Sequence, residues 1–328
     1  MKKFLITGGA GFIGSHIARF LTKQGYFVRV LDNFHTGRPE NLDFAAEYGK
    51  DLFQLICGDI TSMPDCLRAC EGVDVVIHQA AMLSVPESLK DPLSYNQVNI
   101  NGTLMLLQAA VHCQVKRFVF ASSAAVYGDT DDFPLRETHC PRPISPYGLS
   151  KLAGEYYCRI FSSHFGLETI CLRYFNVFGP GQRANDEYAG VIPKFIRCLL
   201  NDEPAPIFGN GQQSRDFVYV DNVVAANVAS ALTTGLSHQI FNVASGKVIT
   251  ILQLAGLLNS ILSKDISPRF LPYRSGDIFK IDADVSRIKQ AIHYKPSVTL
   301  EEGLKETVNY FQKTGGHLCQ LGESSAVV

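Results

Sequence analysis

The sequence has almost no net charge. Its 30 lysines and arginines against 31 aspartates and glutamates leave −1 at neutral pH, which implies no electrostatic surface for nucleic acid. It also lacks any uninterrupted apolar run of membrane-spanning length, and its opening turns to glycine too quickly for a secretory signal. The nine cysteines are an odd number with no C-x-x-C spacing. They read as reduced thiols, with Cys57 and Cys171 expected as small core residues in strands, and neither a metal nor a disulfide role is expected. Internal repeats and low-complexity linkers are missing too. These absences predict a cytoplasmic chain without a membrane segment. What is abundant is apolar residue: 46% of 328, with 27 glycines, enough for a large core divided between two regions.

Hydrophobic patterning gives strands at 3–7, 26–32, 53–58, 73–79, 117–122 and 168–174, alternating with helical periodicity at 12–24, 62–70, 91–113 and 145–164. This order predicts an α/β fold of Rossmann type, a doubly wound parallel sheet whose ligands lie at the carboxyl ends of the strands. The second half is less regular, with helices at 191–201, 221–234, 250–263 and 299–313 and strands at 215–220 and 239–244. The expected division is a dinucleotide-binding domain over 1–175 and a smaller, partly interleaved substrate region over 176–314. Residues 315–328 read as a flexible tail.

The turn Gly8-Gly-Ala-Gly11-Phe12-Ile13-Gly14 follows the first strand and opens the first helix. Gly8 suits a tight turn, Gly11 lets the backbone approach a pyrophosphate, and Gly14 lets helix and strand pack, while the helix N-terminus offers N–H groups to the anion. The spacing departs from G-x-G-x-x-G, so the turn needs support. Asp32, closing the second strand, provides it: a carboxylate there accepts ribose hydroxyls and repels a 2′-phosphate, favouring NAD over NADP. Arg38 argues the other way but also suits an exposed loop.

Tyr147 and Lys151 stand i, i+4 on a predicted helix and share a face. A nearby ammonium and a positive nicotinamide ring favour the phenolate, so Tyr147 can take a proton from a substrate hydroxyl while hydride leaves the same carbon. Ser123, at the end of an apolar strand, would hydrogen-bond the same oxygen; its simpler role is to cap a turn.

Thr7 to Gly14, Asp32-Asn33, Gly58-Asp59-Ile60, His78-Gln-Ala-Ala81, Ser122-Ser123, Val126-Tyr127-Gly128, Tyr147-x-x-x-Lys151, Arg173-Tyr-Phe-Asn176-Val-Phe-Gly-Pro180 and Arg215-Asp-Phe-Val-Tyr-Val-Asp221 together resemble the extended short-chain dehydrogenase/reductase superfamily. The likeness spans roughly residues 1 to 313 and leads to its NAD-dependent nucleotide-sugar epimerases and dehydratases. It implies that Phe12, Ile13, Asn33, Asp59, Ile60, Ala80, Ala81, Asn99, Ser122 and Tyr174 join Gly8, Gly11, Gly14, Asp32, Tyr147 and Lys151 around the cofactor.

Related dehydratases follow their serine or threonine with Asp-Glu, the glucuronate decarboxylases carry Glu at position 125, and the fucose-synthase type carries Cys there. Ala124 and Ala125 can do none of that chemistry. What remains resembles the UDP-hexose and UDP-N-acetylhexosamine 4-epimerases, with UDP-glucuronate 4-epimerase as the alternative. Another nucleotide-sugar oxidoreductase or a non-catalytic dinucleotide-binding protein is the more distant reading. The same resemblance implies that Ser84, Asn176, Val191, Phe195, Arg215, Arg274, Asp277 and Ile281 meet the UDP-sugar alongside Ser123 and Tyr147. Arg215 and Arg274 would grip the diphosphate, as guanidinium forks suit phosphate. Ile281 would border the sugar C2 and disfavour an N-acetyl group, whereas Ser84 to Ser88 and Tyr188 to Pro193 look closer to the N-acetylhexosamine enzymes. A homodimer through helices 91–113 and 145–164 is expected from the family's four-helix interface.

Overall fold

The computed structural model describes residues 1–183, 190–273 and 279–314. Its centre is a seven-stranded, wholly parallel sheet in the order β10-β6-β5-β4-β1-β2-β3. The strands are β1 (Lys3–Thr7), β2 (Phe27–Asp32), β3 (Phe53–Cys57), β4 (Val75–His78), β5 (Arg117–Ser123), β6 (Glu168–Tyr174) and, returning from the second half, β10 (Gln239–Val243). The order reverses between β1 and β4, and a crevice outside the strand ends opens at such a point.

Alternation along each strand feeds two cores. Phe4, Ile6, Val28, Val30 and Ile77 face α1 (Phe12–Lys23) and α8 (Val220–Leu232). Leu5, Leu31, Val76, Phe118 and Phe120 face α2 (Met63–Cys70), α5 (Thr103–His112) and α6 (Pro146–Phe165). Both faces are covered, so the central strands are continuous apolar runs, and each fully buried Leu, Ile, Val or Phe contributes roughly 1.5–3 kcal/mol. Arg117 fastens α8 to the sheet: it pairs with Glu168 and donates to the carbonyls of Ser230, Ala231 and Thr233 at the helix end.

A third core collects Phe178, Ile192, Phe195, Ile196, Phe217, Leu254 and Leu304. They come from β7 (Asn176–Phe178), α7 (Val191–Leu200), β9 (Ser214–Tyr219), α9 (Ile251–Leu262) and α11 (Leu300–Lys313), joined by Ile207 of β8 (Pro206–Phe208) and Val220 of α8; β11 (Val248–Thr250) pairs with β9 and β12 (Arg269–Leu271) with β8, while α10 (Ser286–Ile292) packs in the first core. Phe12 and Ile13 of α1 pack against this core, so the glycine turn touches both halves of the molecule.

Two expectations change. The helix expected over 91–113 runs from Pro92 to His112, but its hydrogen bonding is not α-helical all the way. α3 (Val85–Lys90) ends at Asp91, which caps α4 (Pro92–Tyr95) by accepting from Ser94 N, and the chain widens into a π-helical stretch over Asn96–Gly102 before α5. Within it Asn99 turns inward and holds both backbone groups of Met82, at 2.8 and 3.0 Å. Cys57 is exposed, not core, because β3 is the edge strand; Cys171 is buried as expected.

Candidate active site

Gly8 has φ +66°, and a Cβ there would lie 2.7 Å from Ala80 N; a Cβ on Gly14 would lie 2.1 Å from Gly8 O. Only glycine lets β1 turn against the end of β4 in this way. α1 then starts at Gly11 with no side-chain cap, unlike α6, α9 and α11, so its first-turn N–H groups keep their capacity for an anion. Asp32 is 8% exposed and sits at the next strand end, its two oxygens accepting from Ala10 N and Phe34 N at 2.9 and 2.8 Å. Burial holds its pKa above the ordinary carboxylate value, against the pull of those two N–H groups. Each oxygen retains acceptor capacity. Asn33 donates to Asp59 at 2.7 Å, and Asp59 also accepts from the N–H and hydroxyl of Thr61; these bonds outweigh its burial and keep its pKa low. Ile60 lies against Gly102. The cradle, the free helix end and the carboxylate fit a dinucleotide.

Ser145 caps α6 by accepting from Gly148 N, Pro146 occupies the first turn, and Gly166, at φ +70°, ends the helix. This places Tyr147 and Lys151 one turn apart, both buried. Lys151 Nζ donates to Ala121 O at 2.9 Å and lies 5.9 Å from the Tyr147 ring centroid. Burial pushes the ammonium down to about 7. It raises the Tyr147 phenol, and the Ser123 hydroxyl pulls it back. Burial thus favours the uncharged form of both groups, and stabilisation of the phenolate has to work against it. Ser123 Oγ accepts from Ala125 N, so it does cap the short turn over Ala124–Val126 while reaching Tyr147.

Ser122 turns its side chain to the other face of the strand. Its hydroxyl faces away from Ser123 and donates to Glu155, which forms a fully buried pair with Arg173, 2.7 and 2.8 Å apart. Any contact it makes with a cofactor would be through its backbone. Tyr174 OH is held by Gln79 and Asn227, and Asn99 by Met82 and Ser150. Ser84 Oγ caps α3 by accepting from Glu87 N. Phe195 is buried in the third core, so its side chain is not open to a substrate, while Val191 stands half-buried at the start of α7. Arg215 Nη1 donates to Ser214 O, and its neighbour Asp216 points the opposite way, to Ser245 and Gly246. Ile281 N donates to Ser214 O, next to Arg215, and its side chain is half-buried against the main core. Asn176 pairs with Phe217 across β7 and β9, and Ala81 follows Ala80 on the loop beyond β4. Arg274 and Asp277, like Tyr188, lie outside the described residues.

The model of the NAD-dependent epimerase/dehydratase family matches residues 4–244. The chain belongs to that family. Among solved structures, the UDP-N-acetylglucosamine 4-epimerase of Methanobrevibacter ruminantium M1, in complex with UDP-N-acetylmuramic acid, is 40% identical at TM-score 0.91, over 96% of this chain and 99% of that one. The UDP-glucose 4-epimerase of Thermotoga maritima, with UDP-glucose, is 39% identical at TM-score 0.89, over 95% and 99%. The UDP-glucuronic acid 4-epimerase of Bacillus cereus, in complex with UDP-glucuronic acid and NAD, is 33% identical at TM-score 0.88, over 95% and 100%.

One buried residue of this family member went without a role in the motif reading. His78 Nε2 lies 2.9 Å from Thr103 Oγ1, and Thr103 spends its own proton on Asn99 O at 2.6 Å. Nε2 must therefore carry the ring proton, and Nδ1 accepts from Thr7 Oγ1 at 2.6 Å. Burial pushes His78 down to about 3, so the ring is neutral and the chain of bonds has one direction. It links the end of β1 to the inward turn at Asn99, the same turn that holds the loop beyond β4.

Proposed function

We propose that this family member is a cytoplasmic, homodimeric UDP-sugar 4-epimerase that keeps one NAD through both halves of its reaction. The observation that carries the reading is the wall beside Tyr147: Ala124 and Ala125 form the turn after Ser123, and the Ala125 carbonyl lies where a Cβ on Gly148 would be 2.6 Å away. Methyl groups there neither protonate a leaving hydroxyl nor remove a C5 proton. This leaves Ser123, Tyr147 and Lys151 for the chemistry, which suits oxidation and reduction at one carbon, C4 in this reading. NAD, when bound, supplies the reversible two-electron acceptor. Tyr147 takes the proton of the C4 hydroxyl and returns it after the 4-keto sugar has turned over, Ser123 bonds the same oxygen, and Lys151 favours the phenolate once the positive nicotinamide ring adds to its charge.

Residues 1–175 hold the cofactor in this reading and 176–314 the UDP-sugar, with Arg215, Arg274 and Asn176 on the diphosphate, and Asp277, Val191 and the backbone at Phe195 nearby. Asp32 selects NAD over NADP. Ile281, beside Arg215, borders the sugar C2. The UDP-glucuronate reading stays as the alternative because the Bacillus cereus enzyme matches nearly the whole chain. Incubation with UDP-glucose, UDP-N-acetylglucosamine and UDP-glucuronate without added NAD, followed by NMR, tests the proposal. It predicts a C4 epimer from at least one sugar; net oxidation, or no product from any of them with NAD supplied, overturns it.

A further inference from the structure

The segment 179–183 leaves β7 in the substrate half and crosses to the cofactor half, where it is tied down at two places. His16, on the second turn of α1, lies 3.0 Å from Pro180 O through Nε2; a carbonyl cannot donate, so Nε2 carries the proton. The other ring nitrogen lies 3.7 Å from Asp221 on α8. Three residues on, Arg183 Nη2 donates to Thr36 O at 2.7 Å. Between the two ties the segment passes over the first turn of α1: a Cβ on Gly181 would sit 4.0 Å from Phe12. It is stiffened by Pro180 and by Gln182, which donates from its backbone to Gly179 O and from its side chain to Val177 O.

The two anchors flank the stretch of the cradle between the glycine turn and Asp32. His16 shares α1 with the glycine turn. Thr36 precedes Gly37, where a Cβ would lie 2.8 Å from Asp32 Oδ1, and Arg38 N bonds Ala10 O within the turn itself. A chain bridging these two points passes over the first turn of α1, on the stretch where a dinucleotide would have its pyrophosphate and adenosine. We propose that residues 179–183 are a strap that retains NAD, with His16 and Arg183 as its fasteners. The inference rests on the epimerase reading, and it supplies what that reaction needs: reduction must use the electrons removed in the oxidation, so release between the two would end the cycle at the keto sugar.

Release of labelled NAD into excess unlabelled NAD tests this directly and does not depend on turnover. Arg183→Ala and His16→Ala should each speed release by about 10-fold, the scale of one lost hydrogen bond to a charged or anchored group, and the double variant by more than either. His16→Gln, which keeps an N–H donor toward Pro180, should stay near the wild-type rate, and this separates the lost tie from general loosening of α1. Near-UV circular dichroism establishes that each variant is folded. Wild-type protein that holds NAD, with the double variant releasing it equally slowly, would overturn the strap alone. Wild-type protein that binds no NAD would overturn the strap and the cofactor reading together.

Discussion

Tyr147 and Lys151 are both buried, and burial drives their pKa values apart: the phenol rises and the ammonium falls to about 7. In each case burial favours the uncharged form, and a further positive charge beside Tyr147 works in the opposite direction. Tyr147→Phe should keep NAD and UDP binding while losing at least ~100-fold in turnover, the usual worth of a general acid or base. Steady-state kinetics with equilibrium binding checks this, and near-normal turnover would assign the proton to another group. Lys151 also affects stability. Its folded pKa lies below the unfolded value, so the unfolded chain binds the extra proton between about pH 7 and the ordinary lysine value, and wild-type stability rises with pH across that window. Lys151→Met removes the titration. Its melting temperature relative to wild type should therefore be most favourable below pH 7 and decline toward pH 10; a difference independent of pH would contradict the buried, depressed lysine. At this scale the glycine turn, Asp32, Tyr147 and Lys151 were legible in the sequence because each has a fixed place on a strand end or helix face. Consecutive strand residues point to opposite faces, so the hydroxyls of Ser122 and Ser123 serve different partners, Glu155 and the turn at Ala125. The cap at Ser84 and the burial of Phe195 depend on elements that pattern alone does not place.

α6 carries the tyrosine and the lysine, and its third inward turn carries Glu155. The Glu155–Arg173 pair, with Ser122 as a further donor, ties this helix to β6 and β5 directly beneath the site. Both side chains are almost wholly buried, at 3% and 2% exposed. A buried pair adds little stability over apolar replacements, but breaking it strands a charge. Glu155→Gln should cost about 3–5 kcal/mol by urea unfolding, and Glu155→Leu with Arg173→Met should recover most of that loss. Additive losses in the double variant would show that each residue acts alone. Most elements were legible because their periodicities are long: α6, α9 and α11 fall within a residue or two of expectation. The three-residue strands β7, β8, β11 and β12 offer too few positions for a period of two to register. The helix over 91–113 begins where expected, at the Asp91 cap and first-turn Pro92; its π-helical stretch did not show in the pattern, because it goes with Asn99, whose inward turn is fixed by Met82 on a distant loop.

Across the whole molecule, the doubly wound sheet followed from the alternation of strands and helices, whereas the third core did not, because its members come from seven short or medium elements with no sequential order. The surface holds a further consequence. Leu106, Leu107 and Ala110 are spent inside the second core, while Leu149, Tyr156 and Ile160 line an exposed face of α6, with Leu89 and Leu93 exposed on α3 and α4. Side chains seven and four apart on one helix form a stripe, and contiguous exposed apolar surface marks an interface. Light scattering at micromolar concentration should give twice the 36.1 kDa chain mass. Tyr156→Glu with Ile160→Glu should shift it to the monomer, and a monomeric wild type would rule the dimer out. The central claim, oxidation and return at one carbon, is tested most directly by turnover in deuterium oxide with NMR of the sugar protons. The account predicts a C4 epimer that keeps its C4 hydrogen and gains no deuterium at C3 or C5. Deuterium at C4 or C5 would contradict it, the first by showing proton abstraction in place of hydride transfer, the second by showing the C5 chemistry that Ala124 and Ala125 cannot perform.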